Sequence, residues 1–174
     1  MGQPGAPHKV KLITGLLSRN ADAIRKAGDM LACLFGKIDM ESPLMDFRHS
    51  EYYTDEMGPG LKRKFLSFEK LADIDDIYDV KLRTNALEKK LSAGGRRTVN
   101  IDPGYIDLAK LVLFSTKDYT HRIYLADGIF AEVTLCYKDG RYHPWPWTYP
   151  DYKTEGYLNF FNSVRQLYRE QISE

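Results

Sequence analysis

Two Asp-Gly dipeptides, Asp127-Gly128 and Asp139-Gly140, lie in one stretch rich in β-forming residues and constrain the fold more than any other feature of the chain. Asp-Gly is a strong two-residue hairpin signal, because both central positions of a type I′ turn need positive φ. Read as two such turns, His121 to His143 forms an antiparallel meander with a defined register. Leu125 then faces Phe130, Tyr124 faces Ala131, Ile123 faces Glu132 and His121 faces Thr134. Beyond the second turn, Tyr137 faces Tyr142 and Cys136 faces His143. Opposed residues share a face of the sheet. One face carries Arg122, Tyr124, Ala131, Val133, Leu135, Tyr137 and Tyr142; the other carries His121, Ile123, Phe130, Glu132, Thr134, Cys136 and His143. Neither face is plainly polar, so the pattern predicts cover on both sides. That cover places His121, Glu132 and Thr134 in a cleft.

The rest of the chain supplies strands and helices in alternation. Strands are expected over Lys9 to Leu17, Leu44 to Arg48, Leu61 to Phe68, Arg97 to Ile101 and Leu111 to Ser115. Asp102-Pro103-Gly104 reads as the turn that ends the fourth of these. Ile24, Ala27, Leu31, Leu34 and Phe35 recur at helical spacing, with Gly36 placed as the C-terminal cap. A short helix fits Tyr52 to Met57. A longer one fits Ile74 to Leu91 with Asp73 as its N-cap, and a third fits Gly156 to Ile172 with an aromatic stripe. The expected fold is α+β: a mixed, largely antiparallel sheet with a C-terminal meander, packed by two or three helices. At 174 residues the chain is the size of a single domain, 1–174, with residues 1–8 expected to be disordered.

Charge and cysteine content narrow the function classes. The net charge is +1, from 25 basic and 24 acidic residues, so no nucleic-acid partner is expected. The longest basic run, Lys62-Arg63-Lys64, lies among apolar residues and reads as a charged edge strand. Cys33 and Cys136 form no CxxC motif and no disulfide framework. No signal-peptide core and no apolar run of membrane-spanning length occurs, which points to a cytoplasmic protein with no membrane partner. A P-loop is missing too: Gly36-Lys37 is followed by Ile38.

The candidate chemistry is dispersed. His121 with Glu132 is the acid/base candidate, against the reading of a buried structural pair. Lys81, Asn85 and Glu88 share an arc of the second helix, a ligand-facing edge or a solvated flank. Asn100 and Asp102 share a strand face beside the expected turn, and Lys117, His121 and Arg122 lie within six residues. Glu88, Asp102 and Glu132 have the oxygen donors that suit Mg²⁺. A metal set of His121, Cys136 and His143 is disfavoured, since its histidines flank the central strand roughly 10 Å apart. His143 to Tyr152 carries three prolines and four further aromatics, and reads as a lid over a cleft or as a strap across the sheet.

Several of these segments occur together: Tyr52-Tyr53 with Glu56-Met57-Gly58, Lys81 with Thr84-Asn85 and Glu88, Asn100 to Tyr105, Lys117 with His121 to Leu125, and Trp147 to Tyr152. In combination they resemble the bacterial domain-of-unknown-function family 4416, over nearly the whole chain. The resemblance implies a cytoplasmic bacterial protein in which the matching polar residues, Tyr149 and Asp151 among them, form a site. Some family members carry a GTP-binding label, but this chain has neither a P-loop nor an N-K-x-D motif. Two functions are therefore expected from different classes. In the first, the protein binds or acts on a small anionic, nucleotide or phosphorylated ligand beside the meander. Lys81, Lys117 and Arg122 would neutralise it, Asn85 and Asn100 would orient it, and His121 with Glu132 or Asp102 would move protons. In the second, the aromatic strap and C-terminal helix bind a protein partner without catalysis.

Overall fold

The computed structural model of the chain describes residues 2–48 and 57–173, and the helix expected over Tyr52 to Met57 lies outside them except for Met57. The sheet is built around β1 (Lys11–Ser18), whose every residue is buried. Along the chain follow β2 (Ile38–Glu41), β3 (Met45–Asp46), β4 (Lys62–Phe68), β5 (Asn100–Ile106), β6 (Lys110–Ser115), β7 (Ile123–Ala126), β8 (Ile129–Lys138) and β9 (Arg141–Pro144). Their order in space is β2-β4-β1-β5-β6-β8-β7, with β3 also beside β4 and β9 beside β8. Every strand pairing among the described residues is antiparallel, so the α+β class holds and the sheet shows no parallel component.

Period-two alternation on β1 divides the core. Leu12 and Leu16 face α1 (Ala21–Phe35) and α2 (Asp79–Leu91), whose Leu31 and Leu87 join the same cluster. Ile13 faces the opposite way, toward Phe65, Tyr157, Phe161 and Val164, the last three on α3 (Glu155–Gln171). Phe65 is fully buried there, its ring 4.7 Å from that of Tyr157 and 4.9 Å from that of Phe161. A side chain of this size stabilises by about 1.5–3 kcal/mol when buried.

Helix α1 has the expected caps. Asn20 Oδ1 accepts from the backbone of Asp22 at 2.8 Å, and Gly36 adopts φ 98° while its N–H bonds Ala32 O. Helix α2 starts later than its apolar pattern predicts: Tyr78 occupies the N-cap, and Asp73 instead pairs with Lys9 at 2.9 Å. Residues 74–78 form a turn that leads into the helix.

Three expectations are corrected. First, Lys62-Arg63-Lys64 is not an edge: β4 lies inside the sheet, and Arg63 is 3 % exposed because two carboxylates receive it. Second, Asp102-Pro103-Gly104 is no turn, since β5 runs straight through it. The β5–β6 ladder covers only Gly104 to Ile106, so Pro103 stands just past its end. Gly104 permits the close approach of β6, because a Cβ there would lie 2.2 Å from Val112 O. Third, both Asp-Gly turns form, with Asp127 at φ 49° and Asp139 at φ 50°, but the first hairpin slips by one residue. A bulge between Tyr124 and Ala126 pairs Tyr124 with Phe130 and Ile123 with Ala131. A second irregularity makes Leu111 pair Leu135 and Val112 pair Val133, leaving Thr134 as the extra residue. As a result Val133 packs toward α1 and α2 while Leu135 packs toward α3, and the expected faces of the meander do not hold.

Candidate functional site

Where the β5–β6 ladder ends, the two strands part and a cavity of about 320 Å³ opens between them. Arg63, on β4, is among its lining residues. One guanidinium nitrogen donates to Asp102 Oδ2 at 2.8 Å and the other to Asp151 Oδ2 at 3.4 Å. The group also lies 5.3 Å from the Phe47 ring centroid and 5.7 Å from that of Phe65. Such a buried ion pair has to overcome desolvation of both charges, and it holds when several partners converge on it.

Asp102 receives Asn100 Nδ2 at 2.8 Å as well, and Asn100 Oδ1 accepts from Arg97. Burial pushes the Asp102 carboxyl up, but the charges of Arg63 and Lys81 and the bonds from Arg63 and Asn100 outweigh it. The group therefore titrates below the usual carboxylate range. Lys81 reaches the cavity from α2, on the far side of the sheet, and donates to Ile101 O at 3.0 Å. Glu88, two helical turns further, accepts from Ile101 N, and burial raises its carboxyl despite the opposing charge of Lys81.

The opposite wall belongs to the meander. Glu132 is 3 % exposed and accepts from Arg122 Nε at 3.0 Å, from Thr134 Oγ1 at 3.2 Å, and pairs with His121 Nε2 at 3.0 Å. Arg122 further donates to Ser115 Oγ, to Lys117 O and to Tyr149 Oη, the last at 2.7 Å. It braces the loop after β6 against the aromatic strap. The two residues expected on opposite faces of the meander, His121 and Arg122, thus share one carboxylate. The strap is pinned by Thr148, which donates to Thr134 O and accepts from Trp145 N, and by Trp147 Nε1, which donates to Val133 O. Burial raises the Tyr149 hydroxyl, with Arg122 opposing.

Eight of the residues expected to form a site line this cavity: Lys81, Asn100, Asp102, Lys117, Arg122, Glu132, Tyr149 and Asp151. Asn85 and Glu88 instead border a second groove beside Arg97. His121 does not line the cavity; it stands behind Glu132, stacked 5.3 Å from Trp147. The sequence reading missed Arg63, Arg97 and Tyr152. A signal for Arg63 existed, since Leu61, Arg63 and Phe65 alternate on one strand face and two of the three are apolar.

Over residues 8–168 the chain matches the family model described as Domain of unknown function (DUF4416). The chain belongs to the DUF4416 family. No curated protein and no solved structure matches it. In this DUF4416 member no three His, Cys, Asp or Glu side chains among the described residues gather to hold a metal ion. Neither Glu88, Asp102 and Glu132 nor His121, Cys136 and His143 are assembled as a set; the Cys136 thiol bonds His143 O instead. No described helix is long and apolar enough to cross a membrane. The aromatic stripe of α3, expected as a protein-docking surface, is buried under the sheet through Tyr157, Phe160, Phe161 and Tyr168.

Proposed function

We propose that the cavity between β5 and β6 binds a small anionic molecule. The observation that carries this reading is its charge: Arg63, Lys81, Arg97, Lys117 and Arg122 line it against three carboxylates, Asp102, Glu132 and Asp151. In a partly buried cleft such an excess attracts anions more strongly than the same charges do in water. Lys81 and Lys117 supply charge from opposite walls. Arg63 is a fixed cation held by its two aspartates, and Arg122 positions the mouth through Tyr149. Both cysteines are free thiols, which supports placing the protein in a reducing cytoplasm.

The test is a thermal-shift screen against phosphate, sulfate, sugar phosphates and nucleoside triphosphates. A ligand at 100 times its dissociation constant adds about 2.7 kcal/mol, roughly 5–10 °C for a domain of this size. A shift with at least one anion that is lost in Lys117→Ala supports the reading. A flat response across the panel rejects it.

A further inference from the structure

We infer that the ligand of this cleft is a small phosphate monoester of a polyol, not a nucleoside triphosphate; the inference rests on the anion-binding reading above. Charge gives the first argument. Five cations against three carboxylates leave a lining of +2, and a phosphate monoester carries about −1.5 to −2 at pH 7. A triphosphate exceeds that balance.

Size agrees. A volume of about 320 Å³ is at the small end of ligand pockets, which run from roughly 300 to 1,000 Å³. At about 30 Å³ per water it holds roughly ten water-sized groups. A phosphoryl group on a short polyol fills that space, whereas a nucleoside triphosphate does not fit whole.

The third argument comes from donors left without acceptors. Arg63 and Tyr152 both line the cavity and are 3 % and 2 % exposed. Arg63 Nε and the Tyr152 hydroxyl are buried and have no hydrogen-bond partner among the described residues. Buried polar groups are rarely left so, and both of these can donate. A phosphate dianion presents acceptors only, so it suits them better than a protonated monoanion. Lys81 adds further N–H donors beyond the one given to Ile101 O. The carboxylate of Asp102 is 26 % exposed and accepts one hydrogen bond on each oxygen from the described side chains, so capacity remains for a donating hydroxyl. A bare anion leaves that capacity unused, while a polyol phosphate meets both halves of the lining.

Isothermal titration of the full chain with sulfate, inorganic phosphate, glycerol 3-phosphate, a hexose monophosphate and GTP tests the inference. One of the two monoesters should bind at least tenfold more tightly than sulfate and than GTP. Its affinity should fall about fourfold between pH 7.5 and 5.5, as the second phosphate proton with pKa near 6 returns. Sulfate, a dianion throughout, controls for titration of the protein's own groups. Tyr152→Phe, which removes a hydroxyl with no hydrogen-bond partner among the described residues, should weaken the monoester about tenfold without lowering the melting temperature. GTP binding as tightly as the monoesters, or sulfate equalling them, overturns the monoester inference and leaves the anion reading standing. Unchanged monoester affinity in Tyr152→Phe overturns the donor assignment. No binding by any anion overturns both readings.

Discussion

Arg63 and Asp102 meet at 2.8 Å although a whole strand, β1, lies between theirs, and they meet over Gly15. Gly15 is paired with Phe65 on one side and Asp102 on the other, so the guanidinium crosses β1 where no side chain rises from it. A Cβ on Gly15 would lie 2.9 Å from Phe65 Cε1 and 3.1 Å from Arg63 Nη1. Both neighbours are held: Phe65 in the aromatic cluster, Arg63 by two carboxylates.

Gly15→Ala should therefore destabilise by about 1–3 kcal/mol, the usual cost of overpacking a filled core. For a chain of this length that lowers the melting temperature by several degrees. Thermal unfolding checks it, and an unchanged midpoint would show that Arg63 has room to move.

The same ion pair predicts an acid limb. The folded-state Asp102 carboxyl titrates below its ordinary value, so its contribution is fully present above the unfolded pKa of about 3.9. It is lost as the pH falls through the lower, folded value. Asp102→Asn should be less stable than the parent from pH 5 to 7, and the gap in melting temperature should narrow progressively as the pH falls below about 4. A gap that does not narrow at all between pH 5 and pH 3 contradicts this. Arg63→Met should cost more than Asp102→Asn, about 3–5 kcal/mol, because it removes the cation that the part-buried Asp102 and the buried Asp151 share.

His121 and Glu132 separate by experiment into different roles. His121 gives Glu132 one of its three partners and stands outside the cavity, so His121→Asn should cost about 1–2 kcal/mol in stability and leave anion binding unchanged. Glu132→Gln releases Arg122, and with it Tyr149 at the mouth, so binding should fall as well. Titration calorimetry on both variants decides it, and loss of binding in His121→Asn would return the histidine to the site.

Much of this arrangement was readable from local signals. Asn20 and Gly36 bracket α1 because capping depends on a few neighbouring residues. The pairing of Tyr137 with Tyr142 followed from the Asp139-Gly140 turn because no bulge intervenes. Across Asp127-Gly128 the same logic slipped by one, since the bulge at Leu125 leaves no mark in residue type. Asp102-Pro103-Gly104 has turn composition, yet its glycine serves a close approach to β6 that only the tertiary fold creates. Arg63 looked like a solvated charge because the partner that buries it, Asp151, is 88 residues away. The cleft itself follows from where one ladder stops, a property of two strands together and of neither sequence alone.

Lys81 and Asn85 are neighbours on α2 with opposite expected behaviour. Lys81 is 8 % exposed and enters the cavity through the gap between β5 and β6, while Asn85 borders the second groove. Lys81→Met keeps most of the buried stem and removes the ammonium, with its bond to Ile101 O, at a cost near 1 kcal/mol. Loss of a charge that faces the ligand should weaken anion binding tenfold or more and flatten its dependence on salt. Asn85→Ala should change neither. Titrating both variants with the tightest anion at low and moderate ionic strength distinguishes a ligand-facing lysine from one that serves only to tie α2 to β5. In the second case Lys81→Met would lower the melting temperature and leave the affinity where it was.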